Sequence, residues 1–201
     1  FEKDYLVGNA LIDMYAKCGA LFEAESVFNK IQDRNVGSWG VLIAGYVEHA
    51  YEEKALCYFK LMRNDGLFPD AFTFRSILKA CGIIGSLEIG EDIEALVKKQ
   101  GLLQDNVVLG NTLVAMYAKC GALAKAQEVF DELYIKDVVS WTTLITGYSQ
   151  IRKRDIAFHL FNKMRSMGIA PNPVTFFVIL NACSCSRLVN QGETYYDSMR
   201  A

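Results

Sequence analysis

Long apolar runs, charge of one prevailing sign, histidine and proline are all scarce in this 201-residue chain. No apolar stretch reaches the roughly 18 residues that a helical membrane span requires; the best candidate, Val41–Tyr46, is far shorter, so no membrane partner is expected. With 21 Lys+Arg against 23 Asp+Glu the formal net charge is −2. No global basic surplus announces a nucleic acid, and such a partner has to be argued from local positions. The two histidines, His49 and His159, have no partner at motif distance. The H-x-E with a later C-x-x-C that marks zinc deaminases is missing, as are G-x-S-x-G, the P-loop and the dinucleotide fingerprint. Neither catalysis nor a cofactor is expected. The six cysteines (18, 57, 81, 120, 183 and 185) lack the spacing of a secreted disulfide scaffold, and most lie inside apolar helical patterns. That favours reduced, buried thiols in an intracellular or organellar compartment. Cys183-Ser-Cys185 is too tightly spaced for a zinc hairpin and has no histidine beside it, so no metal is expected. The absence of an initiator methionine and of a targeting segment points to a piece of a longer protein.

What the chain does contain is a repeat. MYAKCGAL occurs at 14–21 and again at 116–123, an interval of 102 residues. At the same offset Ser38-Trp39, Leu42-Ile43 and Gly45-Tyr46 return as Ser140-Trp141, Leu144-Ile145 and Gly147-Tyr148. Pro69 returns as Pro171, and Thr73-Phe74 as Thr175-Phe176, without an insertion. Each 102 residues divide again, giving units at 5–35, 36–70, 71–106, 107–137, 138–172 and a partial 173–201. Each unit holds two amphipathic stretches. Val7, Ala10, Leu11 and Met14 follow helical spacing, as do Ala24, Val27, Phe28 and Ile31, then Trp39, Leu42, Ile43 and Tyr46, then Ala55, Tyr58, Phe59 and Met62. Gly19 and Gly121 stand where first helices end, Gly66 and Gly168 where second helices end, and the three prolines fall at unit boundaries.

A helical hairpin of this size cannot cover its own apolar faces, so neighbours must stack. The expected fold is all-α: one right-handed α-solenoid of helix-turn-helix repeats spanning the chain, with first helices lining the concave side.

The segments 138–148 (VVSWTTLITGY), 157–165 (AFHLFNKMR) and 168–172 (GIAPN) resemble a pentatricopeptide repeat. The alternation of 31-, 35- and 36-residue units resembles the plant subclass that mixes standard, long and short motifs, and 8–19 (GNALIDMYAKCG) is similar to its short units. The resemblance implies sequence-specific binding of single-stranded RNA in a mitochondrion or chloroplast, one base per unit, in RNA processing or cytidine-to-uridine editing. An organellar editing-factor protein is a further implied partner.

In that family the fifth and last residues of a unit choose the base. The resemblance therefore implies base readers Asn9 with Asn35 (a pyrimidine), Asn111 with Asp137 (uracil) and Thr142 with Asn172 (adenine). Gly40 with Asp70 is degenerate, Arg75 with Asn106 falls outside the usual pairs, and Phe177 replaces any polar reader in the last unit. The second residue of a unit clamps base faces, here Leu6, Phe72, Val108, Val139 and Val174, with Gly37 weakening the second unit. Lys17 and Lys119, near the ends of equivalent first helices, are placed to meet phosphates. The alternative function is a scaffold for proteins, since a solenoid's inner surface serves peptides as readily as RNA.

Overall fold

The computed structural model describes residues 4–104, 106–151, 153–186 and 188–200. Twelve helices and no strand occur among them, so the fold is all-α. They are α1 (Asp4–Lys17), α2 (Leu21–Lys30), α3 (Val36–Glu48), α4 (Glu52–Asn64), α5 (Ala71–Ile84) and α6 (Leu87–Lys99), then α7 (Val107–Lys119), α8 (Leu123–Glu132), α9 (Val138–Gln150), α10 (Arg154–Ser166), α11 (Pro173–Ser186) and α12 (Val189–Arg200).

First helices start where the chain supplies a side-chain cap. Asn35, Asp70, Asn106 and Asp137 each accept a backbone N–H three residues on, and Asn172 does the same for Thr175. The five caps are the last residues of the units read from the sequence. Pro173 occupies the first position of α11, where its missing N–H would be unsatisfied anyway. Hairpin ends use left-handed glycine at Gly19 (φ 76°), Gly66 (φ 75°), Gly121 (φ 78°) and Gly168 (φ 77°). Between α3 and α4 the same conformation falls on Ala50, at φ 61°, where the Cβ is strained.

The chain divides into two compact units, Phe1–Leu102 and Leu103–Ala201. In the first, α1, α3 and α5 touch in sequence and each packs on its own second helix, while the backbones of α2, α4 and α6 stand farther apart, α2 and α4 meeting through side chains such as Glu25 and Tyr58. The second unit repeats this with α7, α9 and α11 against α8, α10 and α12, where Phe158 and Phe161 of α10 meet Tyr195 of α12. A tight layer of first helices beside a splayed layer of second helices makes each unit curve, with the first helices inside. Glycine sets the tightness: a Cβ on Gly45 would lie 2.6 Å from Ala16 Cβ, and one on Gly147 would lie 2.9 Å from Ala118 Cβ.

Aromatic side chains fill the space between the layers. Phe28 meets Trp39 edge-on at 4.8 Å, and Phe130 meets Trp141 at 4.9 Å. Each such ring, fully buried, contributes roughly 2–3 kcal/mol. A polar bracket ties the first unit together from behind. Glu25 on α2 accepts both the Tyr46 hydroxyl of α3 and the Tyr58 hydroxyl of α4, each at 2.6 Å. Those two hydroxyl bonds hold the Glu25 carboxyl below the usual carboxylate range, while burial and the neighbouring carboxylate push both tyrosines up.

Two expectations are corrected. The stripe Val7, Ala10, Leu11 and Met14 is exposed, and α1 instead buries Gly8, Ile12 and Ala16. α1 turns its small residues to its neighbours, Gly8 against Ile31 and Ala16 against Gly45, so the other apolar face lies outward. In α7 the equivalent Leu109, Leu113 and Met116 are buried. Cys18 and Cys57 are exposed rather than buried; the side chain of Cys185 lies outside the described residues. No helix among the described residues is long and apolar enough to cross a membrane, and no group of three or more His, Cys, Asp or Glu among them could hold a metal ion.

Candidate functional site

Two caps, Asn35 and Asp137, look in two directions. One side-chain oxygen closes the helix that follows, and the same oxygen meets the fifth residue of its own unit. Asp137 Oδ1 accepts the Ser140 N–H at 2.8 Å, the Ser140 hydroxyl at 2.9 Å and Asn111 Nδ2 at 3.1 Å. The Asp137 N–H donates to Ser140 Oγ in return, completing a capping box. Burial raises the Asp137 carboxyl, but the Ser140 and Asn111 bonds outweigh it and hold the group below the ordinary aspartate value. Asn35 repeats the arrangement: Oδ1 accepts the Ser38 N–H at 2.9 Å, the Ser38 hydroxyl at 3.1 Å and Asn9 Nδ2 at a looser 3.5 Å.

These bonds orient the asparagine amides. With Nδ2 committed to the cap, Oδ1 of Asn9 and of Asn111 is left buried without a hydrogen-bond partner. An unsatisfied acceptor costs about 1–3 kcal/mol, which a ligand N–H would recover. The other two unpartnered buried atoms, Trp39 Nε1 and Trp141 Nε1, belong to the aromatic core.

Thr142 and Asn172 do not touch. Thr142 Oγ1 lies 2.7 Å from the Val138 carbonyl and 2.6 Å from Thr175 Oγ1, and Thr175 Oγ1 lies 2.9 Å from Asn172 Oδ1. Two hydroxyl protons serve these three contacts, with either threonine able to donate to the other, while Asn172 keeps Nδ2 as a donor. In the first unit Asp70 Oδ1 accepts both the N–H and the hydroxyl of Thr73, at 2.8 and 2.7 Å. Asn106 caps α7 through the Leu109 N–H at 3.0 Å.

The residues between reader and cap were missed by sequence reasoning. Ser38, Thr73, Ser140 and Thr175 are fully buried, and each hydroxyl bonds its cap. Their signal was legible as N/D-x-x-S/T at four unit boundaries.

In the second unit a cleft of about 340 Å³ is lined from first helices and the α10–α11 connection, including Lys119, Val139, Thr142, Asn172 and Val174. Five of the sequence-predicted residues therefore share one inner surface. The residues expected to clamp bases, Leu6, Phe72, Val108, Val139 and Val174, are all exposed large apolar side chains. Gly37 has no such wall, and a Cβ there would press at 3.2 Å on both Asn9 Nδ2 and Asn35 Oδ1. The two lysines differ. Lys17 pairs with Asp13 at 2.6 Å, a bond that raises its pKa, whereas Lys119 has Ala115 at the equivalent place and no ion-pair partner among the described residues. His49, expected to be an ordinary rim residue, lies with Nε2 2.6 Å from the Ala16 carbonyl, so that nitrogen carries the proton.

The class so defined is an all-α helical-repeat protein that sets polar pairs and apolar walls along its inner helices. Comparison with known proteins agrees. The profile of the PPR repeat family matches residues 34–82 and 136–185, and that of the PPR repeat matches 9–36 and 111–137. The chain belongs to the pentatricopeptide repeat family. Among its relatives is a pentatricopeptide repeat-containing protein of Arabidopsis thaliana, 39% identical over 99% of this chain and 27% of its own length. Another from Arabidopsis thaliana, the chloroplastic protein DOT4, is 41% identical over 92% of this chain and 21% of its own. The chain spans about a quarter to a third of the length of the first curated relatives it matches. Among solved structures, the pentatricopeptide repeat protein PPR10 in complex with an 18-nt psaJ RNA element superposes with a TM-score of 0.78 at 20% identity, covering 95% of this chain and 29% of that one. The PPR domain of Arabidopsis thaliana protein-only RNase P 1 in complex with tRNA gives 0.65 at 17% identity, covering 86% and 95%. Both are α-solenoids of helix pairs, the fold found here.

Proposed function

We propose that this chain binds single-stranded RNA base by base from its inner helices, as one continuous repeat array, and performs no chemistry itself. The observation that carries this reading is the pair of asparagines at equivalent positions, Asn9 and Asn111, each held by a cap residue and each with a buried, unpartnered oxygen. An acceptor of that kind matches an imino N–H on a base edge. Uracil presents one at N3, flanked by carbonyl acceptors; cytosine and adenine do not. At Thr142 and Asn172 the groups are a hydroxyl oxygen, which can accept the amino group of adenine, and an amide Nδ2, which can donate to a ring nitrogen. The chain-order preference is pyrimidine, any, any, uracil, adenine. Val139 and Val174 serve as walls for base faces and Lys119 as a phosphate contact. RNA-bound relatives of the same fold support the partner class, and chloroplastic relatives support an organellar setting, in RNA processing or editing-site recognition.

The test is binding of a short single strand carrying the uracil–adenine step against its scrambled form. Tighter binding to the matched strand, weakening with salt, is expected. Equal binding to both would overturn base readout and favour a protein-interaction scaffold.

A further inference from the structure

The inner helices of the two compact units are copies in packing but not in charge. In the second unit the cleft beside Lys119 is bounded by Ala115 of α7 and Gln150 of α9. Counted back 102 residues, those three positions are Lys17, Asp13 and Glu48. The helix pairs dock alike: Gly45 of α3 sits against Ala16 of α1, as Gly147 of α9 sits against Ala118 of α7. Glu48 lies one turn beyond Gly45, and Lys17 directly follows Ala16. That contact therefore brings Glu48 and Lys17 to the same end of the pair. Asp13 holds Lys17 Nζ at 2.6 Å, and the Asp13 bond, with Glu48 beyond it, raises the Lys17 pKa. Arg75, a cation of α5, lies over the Phe72 ring. The floor changes as well: α9 lines the cleft with Thr142, Thr143 and Thr146, where α3 has Gly40, Val41 and Ala44. Along this cleft the second unit's ammonium has neutral neighbours, whereas its copy in the first is outnumbered by two carboxylates.

We propose that Asp13 and Glu48 make the inner wall of the first unit repel the RNA backbone, so that phosphate contact is confined to the second unit. This deepens the RNA-binding reading and rests on it. Attraction to phosphate is independent of sequence and strengthens every strand alike. A wall that presents the Asn9 edge group while cancelling its own lysine keeps that indiscriminate contribution out of half the array. Base selection then carries a larger share of the total affinity. Like charges repel while they lie within a Debye length, about 10 Å at 0.1 M salt, and are screened from each other at about 1 M, where it is about 3 Å. The effect belongs to dilute salt.

The experiment uses the whole chain and a strand carrying three nucleotides before the uracil–adenine step. Its phosphates are replaced, one block at a time, by uncharged methylphosphonates. Neutralising the linkages at the step should weaken binding several-fold, because Lys119 loses its partner. Neutralising those of the preceding nucleotides should leave binding unchanged or tighten it. Asp13→Ala combined with Glu48→Gln should tighten binding of the unmodified strand several-fold, by the same factor for matched and scrambled sequences. It should steepen the slope of log affinity against log salt by about 0.7, the single-strand value for one phosphate. Ala115→Asp combined with Gln150→Glu should weaken binding of both sequences to a similar degree. Each change installs the residue of the other copy, so all the variants should melt like the wild type. Methylphosphonates before the uracil that weaken binding as much as those at the step would refute the repelling wall. So would an Asp13→Ala, Glu48→Gln variant that binds no more tightly, or gains on one sequence alone; a preserved preference for the matched strand would then leave base readout standing. A wild-type chain that fails to separate matched from scrambled strands refutes the RNA reading and the wall together.

Discussion

The Asn111 amide donates Nδ2 to Asp137 Oδ1 across 3.1 Å, joining residues 26 positions apart, and the same carboxylate oxygen caps α9. One atom thus starts a helix and orients the amide proposed to read a base. The two roles separate on mutation. Asn111→Ala should leave the cap intact and change the melting temperature little, while preference for uracil at one position falls roughly tenfold, the worth of one hydrogen bond near 1–1.5 kcal/mol. Asp137→Ala should lose the cap, at about 1 kcal/mol, and the preference as well. Thermal melts beside binding to strands varied at one base would test this; a large stability loss in Asn111→Ala with unchanged preference would contradict it.

The Asp137 carboxyl also makes the cap sensitive to pH. Its folded pKa is held below its unfolded value, so the contribution to stability is complete above the ordinary aspartate range. It fades as pH falls through the lowered folded value, because the unfolded chain then binds the proton first. Asp137→Asn keeps a capping side chain without a titrating one. The stability gap between wild type and Asp137→Asn should therefore be widest at neutral pH and change in favour of the variant on acidification, measured by melts from pH 7 to 3. A gap independent of pH would count against the capped carboxylate.

The polar bracket behind the first unit has a weaker counterpart. Glu25 takes two tyrosine hydroxyls at 2.6 Å, whereas in the second unit Tyr148 reaches Gln127 at 3.5 Å. Tyr46→Phe should cost about 1.5–3 kcal/mol, the range for a bond to a charged acceptor, and Tyr148→Phe under 1 kcal/mol. Denaturant melts of the two variants decide the order.

Backbone strain at Ala50 predicts a gain. Ala50→Gly places a residue without a Cβ at φ 61° and should stabilise by about 1 kcal/mol. Gly147→Val should do the opposite, because its Cβ would lie within 3 Å of both Leu123 and Ala118 side chains. The forced separation of α7 and α9 should cost about 1–3 kcal/mol. Equal melting temperatures for both variants and the wild type would argue against this account of the inner layer.

Much of this architecture could be read from the chain. The 102-residue repeat placed the unit boundaries, and those boundaries are the caps Asn35, Asp70, Asn106, Asp137 and Asn172. Helical spacing picked out Trp39, Leu42, Ile43 and Tyr46 as core, and all four are buried. The same rule misread α1, whose stripe Val7, Leu11 and Met14 is exposed, since spacing identifies an apolar face but not whether a neighbour covers it.

The amino-acid sequence by itself determined the helices, their caps and the repeat, because these depend on residues three or four positions apart. Tertiary structure decided which groups remain available. The Asp13–Lys17 pair is local and legible in the chain, with Ala115 in its place before Lys119, but that Lys119 lines a cleft with Val139 and Val174 is decided by packing. Asn111 became an oriented group only when a cap from beyond its own helix approached within hydrogen-bond distance, a condition set by packing rather than by local chain chemistry.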